Sequence, residues 1–370
     1  MQLPKANSVS LSIMKYILAI TIFLLLLNSC ANIVAPTGGD KDTQAPEVLT
    51  EKLLRQKGVT SISYIFNEHI QLNKWEEHFY ISPPIKKRVQ KEIKRTTLTL
   101  TIEDTLAQKA TYYIALNKCI KDLNEENILD TLYYIFSNTD EIDTLTLSGK
   151  LKDTYTLDAI ENAWIMLFEE NRNDSTFFKD TPNYIAKTDK NGNFHFPNLN
   201  TRNYTILALT DFDFIYNEGE KIAFSNNTVN AEKDSFISLL GFNPIVKIDS
   251  TISDTTTINA DSTSTDSLLI EEIAYGNLEI ITSKNNPCIF QLLKNKKVIN
   301  EYTFTESPFL LTDITPGKYQ LKYITDSNND GEWTTGNWES KTQAEQVINY
   351  PTEITVRANW DLELEWIIGE

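Results

Sequence analysis

Cysteine, histidine and basic residues are scarce in this sequence. Three cysteines, Cys30, Cys119 and Cys288, are too few for a disulfide framework, and no Cys/His spacing typical of a metal site occurs. Lysine and arginine number 34 against 51 acidic residues, which gives a net charge of -17. Such a surface would repel a phosphate backbone, so nucleic acid is excluded as a partner.

Motifs of catalysis are also missing. There is no Gly-x-Ser-x-Gly, no His-Glu-x-x-His and no glycine-rich phosphate loop, and the histidines His69, His78 and His195 are scattered. The sequence therefore predicts a protein that is not an enzyme, and no motif requires a cofactor.

No apolar run is long enough to cross a membrane. The longest, from Ile17 to Leu27, has eleven residues, whereas a spanning helix needs about 20. It ends at Leu27-Asn28-Ser29-Cys30, which resembles the lipobox of bacterial lipoproteins. The resemblance implies that residues 1–29 are a signal peptide, with residues 1–13 as a possible over-long start before Met14.

The same resemblance implies that Cys30 is lipidated and that residues 30–45 form a tether. Several acyl chains would hold the protein stably at a membrane. Ala31, rather than Asp, follows the cysteine, so the inner-membrane retention signal of bacterial lipoproteins is missing. The expected location is the outer membrane, with its periplasmic and surface faces both left open.

What the sequence does contain is strand-forming residues in alternating patterns. With 370 residues, two or three domains are expected. Thr97 to Ile102 alternates hydroxylated and apolar residues, as in a half-buried strand. Many such short segments separated by turns predict an all-β chain of three tandem β-sandwich domains.

The first predicted domain spans residues 46–140. Its successive segments are Ala45-Pro46-Glu47-Val48, Phe66-Asn67-Glu68-His69-Ile70, Tyr80-Ile81-Ser82-Pro83-Pro84, Leu98-Thr99-Leu100, Tyr112-Tyr113-Ile114, Ile120-Lys121-Asp122-Leu123-Asn124 and Tyr134-Ile135-Phe136-Ser137. In this order they resemble a bacterial Ig-like domain of the type found in surface-layer proteins. The resemblance implies a spacer or adhesive module without catalysis.

Residues 141–243 and 273–370 read as a duplicated β-sandwich. The stretch 198–211 aligns without a gap with 313–326, and both stretches end in Thr-Asp. Asp189, Gly192, Phe194, Leu199 and Tyr204 in the first copy resemble the turn and strand of transthyretin-like, carboxypeptidase-regulatory domains. The second copy keeps Gly317 and Tyr319 of that pattern. The resemblance implies a structural or binding module.

Two local patterns complete the predicted organisation. Asn191-Gly192 between alternating segments predicts a β-hairpin. Residues 244–272 are rich in Asp, Ser and Thr, cannot bury a core, and predict a solvated linker that leaves the two sandwiches mobile relative to each other.

Asp326-Ser327-Asn328-Asn329-Asp330-Gly331-Glu332 is the best candidate for a metal site. Oxygen-bearing side chains recur at alternate positions, with glycine sixth, as in calcium loops. Calcium is then the one cofactor to consider, with Asp326, Asn328, Asp330 and Glu332 as ligands. A turn built from Asp, Asn and Gly explains the same residues without a metal. The equivalent loop beginning at Asp211 carries a weaker version of the pattern.

Trp333 and Trp338 offer two readings. They could form a glycan-stacking face, or they could pack within the protein, as most tryptophans do. Together these features predict a non-catalytic, lipid-anchored envelope protein that acts as a structural or interaction module. Its partners would be the membrane, through the anchor, and an envelope or extracellular protein or glycan. The alternative is a glycan-binding or calcium-stabilised surface adhesin.

Overall fold

The computed structural model describes residues 14–21, 41–56, 58–107, 109–139, 141–169, 181–211, 213–217, 219–244 and 274–368. They belong to two compact units, residues 1–44 and residues 45–370. In the first unit, residues 14–21 are helical (α1). Within the described ranges, no helix has the length and apolar character needed to cross a membrane.

The second unit is built from strands, which confirms the predicted all-β class. Its first part, here called the first module, contains one short helix, α2 (Trp75–His78). Its strands are β1 (Val48–Gln56), β2 (Val59–Phe66), β3 (Ile70–Leu72), β4 (Tyr80–Ser82), β5 (Gln90–Lys94), β6 (Thr97–Ile102), β7 (Thr111–Ala115), β8 (Ile120–Asp122) and β9 (Tyr133–Ser137). They form sheets in the orders β1-β2-β6-β5, β4-β7-β9 and β3-β8.

Alternation in the sequence gives the first module its core. Along β6, Leu98, Leu100 and Ile102 are buried, while the threonines between them are half-buried. Successive side chains of a strand point to opposite faces, so one face of β6 meets the opposing sheet and the other lies nearer solvent. Tyr112 and Phe136 stack within the same core, with ring centroids 5.3 Å apart.

A second and a third module follow with one shared topology. The second contains β10 (Leu145–Asp153), β11 (Trp164–Glu169), β12 (Tyr184–Lys187), β13 (Asn193–Leu199), β14 (Asn203–Leu209), β15 (Ile222–Phe224), β16 (Val229–Asn230) and β17 (Phe236–Gly241). The third contains β18 (Gly276–Thr282), β19 (Cys288–Lys294), β20 (Lys297–Phe304), β21 (Phe309–Ile314), β22 (Gly317–Thr325), β23 (Val347–Asn349), β24 (Ile354–Val356) and β25 (Asp361–Trp366).

Each of these two modules pairs a three-stranded sheet with a five-stranded one. The three-stranded sheets have the orders β13-β10-β17 and β21-β18-β25. The larger sheets have the orders β12-β11-β14-β15 and β20-β19-β22-β23, with β16 and β24 added at β14 and β22. In both modules the last strand pairs in parallel with the first.

Matching details accompany the shared topology. Asn198 and Asp313, which align in the sequence, both adopt positive φ, 60° and 58°. Six residues later, Tyr204 donates its hydroxyl hydrogen to the Asn200 side chain, and Tyr319 donates to the backbone oxygen of Thr315 at 2.7 Å. In each module a buried tyrosine therefore fixes the turn that precedes its own strand.

The Asn191-Gly192 turn departs from the predicted hairpin. Gly192 adopts φ 76°, as the sequence suggests, and Asp189 Oδ1 accepts the amide hydrogens of Asn191 and Asn193. However, β12 pairs with β11 and β13 pairs with β10. The hairpin prediction is wrong, because this turn carries the chain from one sheet of the sandwich to the other.

The outer face of the second module's larger sheet is apolar and covered. Every residue of β11 from Trp164 to Phe168 is buried, so this strand carries apolar side chains on both faces. The outward-facing cluster includes Met166 and Leu207, and it packs with Tyr80 of the first module and Trp338 of the third. Three modules thus share one apolar layer besides their separate cores.

Polar contacts reinforce both junctions. Ile185 of the second module donates its amide hydrogen to Ser82 Oγ of the first at 3.0 Å. Gln343 of the third module donates to the backbone oxygen of Phe224 at 3.0 Å. The second and third modules therefore pack against each other in this structure, since an apolar outer face needs a cover. Their separate mobility stays a prediction. The predicted linker at 244–272 lies outside the described residues except for residue 244.

Candidate functional site

The predicted lipidation site and most of the predicted signal peptide lie outside the residues that the structure describes. Cys30, the lipobox residues before it and most of the tether fall outside the described residues. The other two cysteines are described: Cys119 and Cys288 are buried and unbonded, as predicted. Burial raises the pKa of each thiol to about 12, so both stay protonated and unreactive at neutral pH.

The predicted calcium loop is closed by its own hydrogen bonds. Asp326 is almost fully buried, and its two carboxylate oxygens accept the amide hydrogens of Asp330 at 3.1 Å and Gly331 at 3.0 Å. Asn328 donates to Asp330 Oδ2 at 2.8 Å. The loop therefore brings three of the four predicted ligands together, in the geometry of successive Asx turns.

Glu332, the fourth predicted ligand, takes no comparable position. Its amide donates to Asp330 Oδ1 at 2.8 Å, and its side chain is exposed. This backbone donation, with the side-chain hydrogen bonds from Asn328 and Thr334, holds the pKa of the Asp330 carboxyl below its usual range. Glu332 therefore contributes its backbone to the turn.

Glu345 is the residue of this loop that sequence reasoning missed. It is buried, and its carboxylate accepts the amide hydrogens of Ser327 at 2.6 Å and Thr334 at 2.9 Å. It lies 13 residues beyond Glu332, past any spacing that a calcium-loop pattern would search. In the sequence it stands out only as a single acidic residue shortly before β23.

The equivalent loop of the second module is built differently. Asp211 occupies the position of Asp326, but its Oδ1 is buried without a hydrogen-bond partner. Burial, together with the neighbouring carboxyls of Asp213 and Glu220, raises the pKa of Asp211 to about 6. Glu220 in turn accepts hydrogens from the backbone and side chain of Asn217. Here like charges lie near one another, whereas in the third module backbone amides surround the buried carboxylate.

Metal ligation finds limited support in this geometry. Across the part of the chain that the structure describes, no group of three or more His, Cys, Asp or Glu side chains is arranged to hold a metal ion. The predicted ligand set includes an asparagine, and the carboxylates of Asp326 and Asp330 already accept hydrogen bonds from within the loop. Calcium binding at Asp326, Asn328, Asp330 and Glu332 therefore stays a prediction.

The two tryptophans of the predicted glycan face lie at different module contacts. Trp333 packs on Tyr155 of the second module, with ring centroids 4.9 Å apart, and donates its indole hydrogen to the Glu345 backbone oxygen at 3.1 Å. Trp338 meets Phe224 edge-on at 5.1 Å, and the Lys341 ammonium lies over its ring. Both half-buried rings thus pack between modules, and stacking of a sugar on them stays a prediction.

A cross-strand Ser–His pair is the nearest approach to a catalytic arrangement. Ser148 Oγ lies 2.9 Å from His195 Nδ1 on the three-stranded sheet of the second module. Within the described ranges, no carboxylate hydrogen-bonds to His195 as the third group of a triad would. Burial lowers the pKa of His195, and a pair on a flat sheet face offers no converging pocket.

Comparison with known proteins identifies the first module. Residues 42–139 match the family model of the bacterial Ig-like domain, which confirms the predicted Ig-like domain and ends before the second module. No curated protein matches the chain. An Ig-like domain in an all-β chain fits a structural or cell-surface protein, and it gives no positive sign of catalysis.

Solved structures that match this chain weakly include the TIE protein of Bacillus anthracis. It is 10% identical, with a TM-score of 0.19, over 90% of this chain and 59% of that chain, so this chain spans about three fifths of its length. Alpha-2-macroglobulin of Escherichia coli, spanning domains MG0-NIE-MG1, is 11% identical, with a TM-score of 0.21, over 83% and 97%. A Streptococcal ancillary pilin is 10% identical, with a TM-score of 0.19, over 75% and 79%. Similarity this low supports no conclusion about the fold or the function of this chain.

Proposed function

We propose that this protein is a non-catalytic, lipid-anchored arm of the outer membrane that presents docked β-modules to an envelope or extracellular protein. The observation that supports it is the shared apolar layer. Trp164, Met166 and Phe168 face outward from the second module, where the first and third modules cover them. Burying apolar side chains between modules, at roughly 25 cal/mol per Å², favours the docked arrangement over separately moving domains.

The packing of the modules and the negative net charge are both consistent with such an arm. Modules joined through packed faces keep their binding surfaces at a set distance and orientation, which a chain of flexible linkers does not. The net charge of -17 keeps the exposed faces hydrated and limits self-association. Acylation of Cys30, the residue that ends the lipobox-like segment, would supply the attachment.

Acyl labelling tests the anchor directly. The full chain is expressed in a Gram-negative host fed a clickable palmitate analogue, beside Cys30→Ser and the matched variant Cys119→Ser. Wild type and Cys119→Ser are expected to carry label and to sediment with outer membranes. Cys30→Ser is expected to lose both properties. Equal labelling of Cys30→Ser would contradict the anchor.

The adhesin alternative rests on the two predicted sites. Glycan stacking would use Trp333 and Trp338, which also make the module contacts described above. Calcium stabilisation would use the Asp326 loop, which is closed by its own amides. No further observation favours this alternative over the arm. Thermal unfolding with and without calcium tests the predicted calcium stabilisation.

A further inference from the structure

A cleft between the first and second modules brings together three lysines and a histidine of an acidic protein. It has a volume of about 540 Å³, in the range of cavities that hold small-molecule ligands. The first module contributes Asn73, Lys74, Glu77, His78, Lys118 and Ile128, and the second contributes Glu161, Asn162 and Lys187. Three lysines and a histidine thus face two glutamates, on a chain whose net charge is -17.

The lysines of the cleft lie close enough to His78 to affect its protonation. Burial is the main cause that lowers the pKa of His78; Glu77 opposes it, and the nearby charges of Lys187, Lys118 and Lys74 add to it. Lys74 pairs with the Glu77 carboxylate at 3.1 Å, and Lys187 donates to the Glu77 backbone oxygen. Lys118 forms no ion pair with any residue that the structure describes. The cleft therefore holds positive charge that its own carboxylates do not fully offset.

Hydrogen bonds hold the walls of the cleft in place. Asn73 donates from its side chain to the Lys118 backbone oxygen at 2.8 Å and from its amide to Cys119 at 2.7 Å. Lys118 donates its amide hydrogen to Leu129 at 3.0 Å. Lys74, Lys118 and Asn162 all adopt positive φ, between 39° and 59°, a conformation that costs free energy for lysine and less for asparagine.

We propose that this cleft binds a short acidic saccharide, whose carboxylate or sulfate group lies among Lys74, Lys118, Lys187 and His78. Eight of the nine lining residues are polar, and Ile128 is the single apolar one, so a fatty acid or another apolar acid would lose more hydration than it gained. The side chains of Asn162 and Glu161 can bond sugar hydroxyls. The inference depends on neither the lipid anchor nor the tryptophans.

Calorimetry on the full chain tests this site with three probes: a galacturonic acid tetrasaccharide, a sulfated heparin disaccharide and a neutral glucose tetrasaccharide. The two acidic probes separate carboxylate from sulfate as the recognised group. At least one of them is expected to bind, more weakly as sodium chloride rises from 50 to 500 mM, and the neutral probe is expected not to bind.

Variants then locate the binding. Lys118→Gln, which keeps a long side chain at the same positive φ, is expected to weaken binding at least tenfold, and His78→Gln several-fold. The control Lys318→Gln removes an exposed lysine of the third module and is expected to leave affinity unchanged. Three results would overturn the proposal: no binding of either acidic probe at millimolar concentration, equal weakening by Lys318→Gln, or tighter binding of a polyglutamate peptide than of either saccharide.

Discussion

The second and third modules have the same topology, but one buried position on the equivalent strands β14 and β22 is apolar in the second module and charged in the third. The register that pairs Asn198 with Asp313 also pairs Leu207 on β14 with Lys322 on β22. Leu207 is fully buried in the apolar layer of the outer face. Lys322 is also buried, but it donates to the Tyr155 backbone oxygen at 2.8 Å and lies 4.0 Å from the centre of the Tyr155 ring.

The loops that follow these strands also differ in the hydrogen-bond partners of their first residue, an aspartate in both. Asp211 has a buried oxygen without a partner and carboxylates nearby, whereas Asp326 accepts two backbone amides. A duplicated fold therefore fixes where strands and loops run, and the polar partners at each position are settled separately in each copy. Substitutions at the equivalent positions can break or sharpen this contrast.

The largest effect is expected from placing the third module's lysine in the second. Leu207→Lys would bury an ammonium among the apolar side chains of Met166, Phe168 and Phe224. Such a charge costs several kcal/mol, so the second module should lose about 4 kcal/mol of unfolding free energy or fail to fold. Urea denaturation measures it, with Leu207→Met as the control at about 1 kcal/mol. A loss below about 1 kcal/mol for the lysine would mean that water reaches the outer face.

A matched pair of alanine substitutions separates the two loops. Asp326→Ala removes the buried carboxylate that accepts the Gly331 amide hydrogen and one of the two acceptors of the Asp330 amide, the other being Asn328 Oδ1 at 3.1 Å, which should cost about 2 kcal/mol of unfolding free energy. Asp211→Ala removes a carboxylate that has an unpartnered oxygen and lies near other carboxyls, so it should leave the unfolding free energy at neutral pH unchanged or raise it. Urea denaturation of both variants makes the comparison. Equal losses of unfolding free energy would show that the two carboxylates stabilise their loops to the same extent.

Lys322 gives the third module a distinct pH dependence. Burial lowers its pKa from the usual 10.5 to about 8. Between about pH 8 and pH 10.5 the unfolded chain therefore holds more protons than the folded one, so this lysine makes stability rise with pH, and below about pH 8 its penalty is fully present.

Lys322→Met should therefore be more stable than wild type at pH 7, by about 1 kcal/mol after the lost hydrogen bond is counted, and this advantage should shrink by pH 10. Unfolding at pH 7, 8, 9 and 10 tests it. Tyrosine ionisation is common to both proteins and cancels in the difference. Lys318→Met, at an exposed site, should show no such trend, and an advantage of Lys322→Met that is constant with pH would contradict the assigned cause.

Sequence patterns predicted those features that depend on local periodicity. Alternation located β6, and the alignment of 198–211 with 313–326 anticipated the shared strands β14 and β22. The Asn191-Gly192 turn was misassigned because its local chemistry suits a hairpin and a sheet-to-sheet crossing equally well. The covered outer face was missed because Trp164 to Phe168 reads as one apolar run, which gives no sign of what covers its second face. Glu345 was missed because its partners are distant backbone amides.

The smallest effect is expected from calcium. The Asp326 carboxylate already accepts two amides and Glu345 accepts two more, so the loop is closed without a cation. A calcium ion would have to share these oxygens, and millimolar calcium should move the melting temperature by less than about 2 °C. Thermal unfolding with and without chelator measures it, beside Asp330→Asn, which keeps the side-chain shape and removes one charge. A rise of several degrees that Asp330→Asn abolishes would establish the predicted metal site. A rise that Asp330→Asn keeps and Asp213→Asn abolishes would instead assign calcium to the second module, where neighbouring carboxyls raise the pKa of Asp211 and a cation would relieve their repulsion.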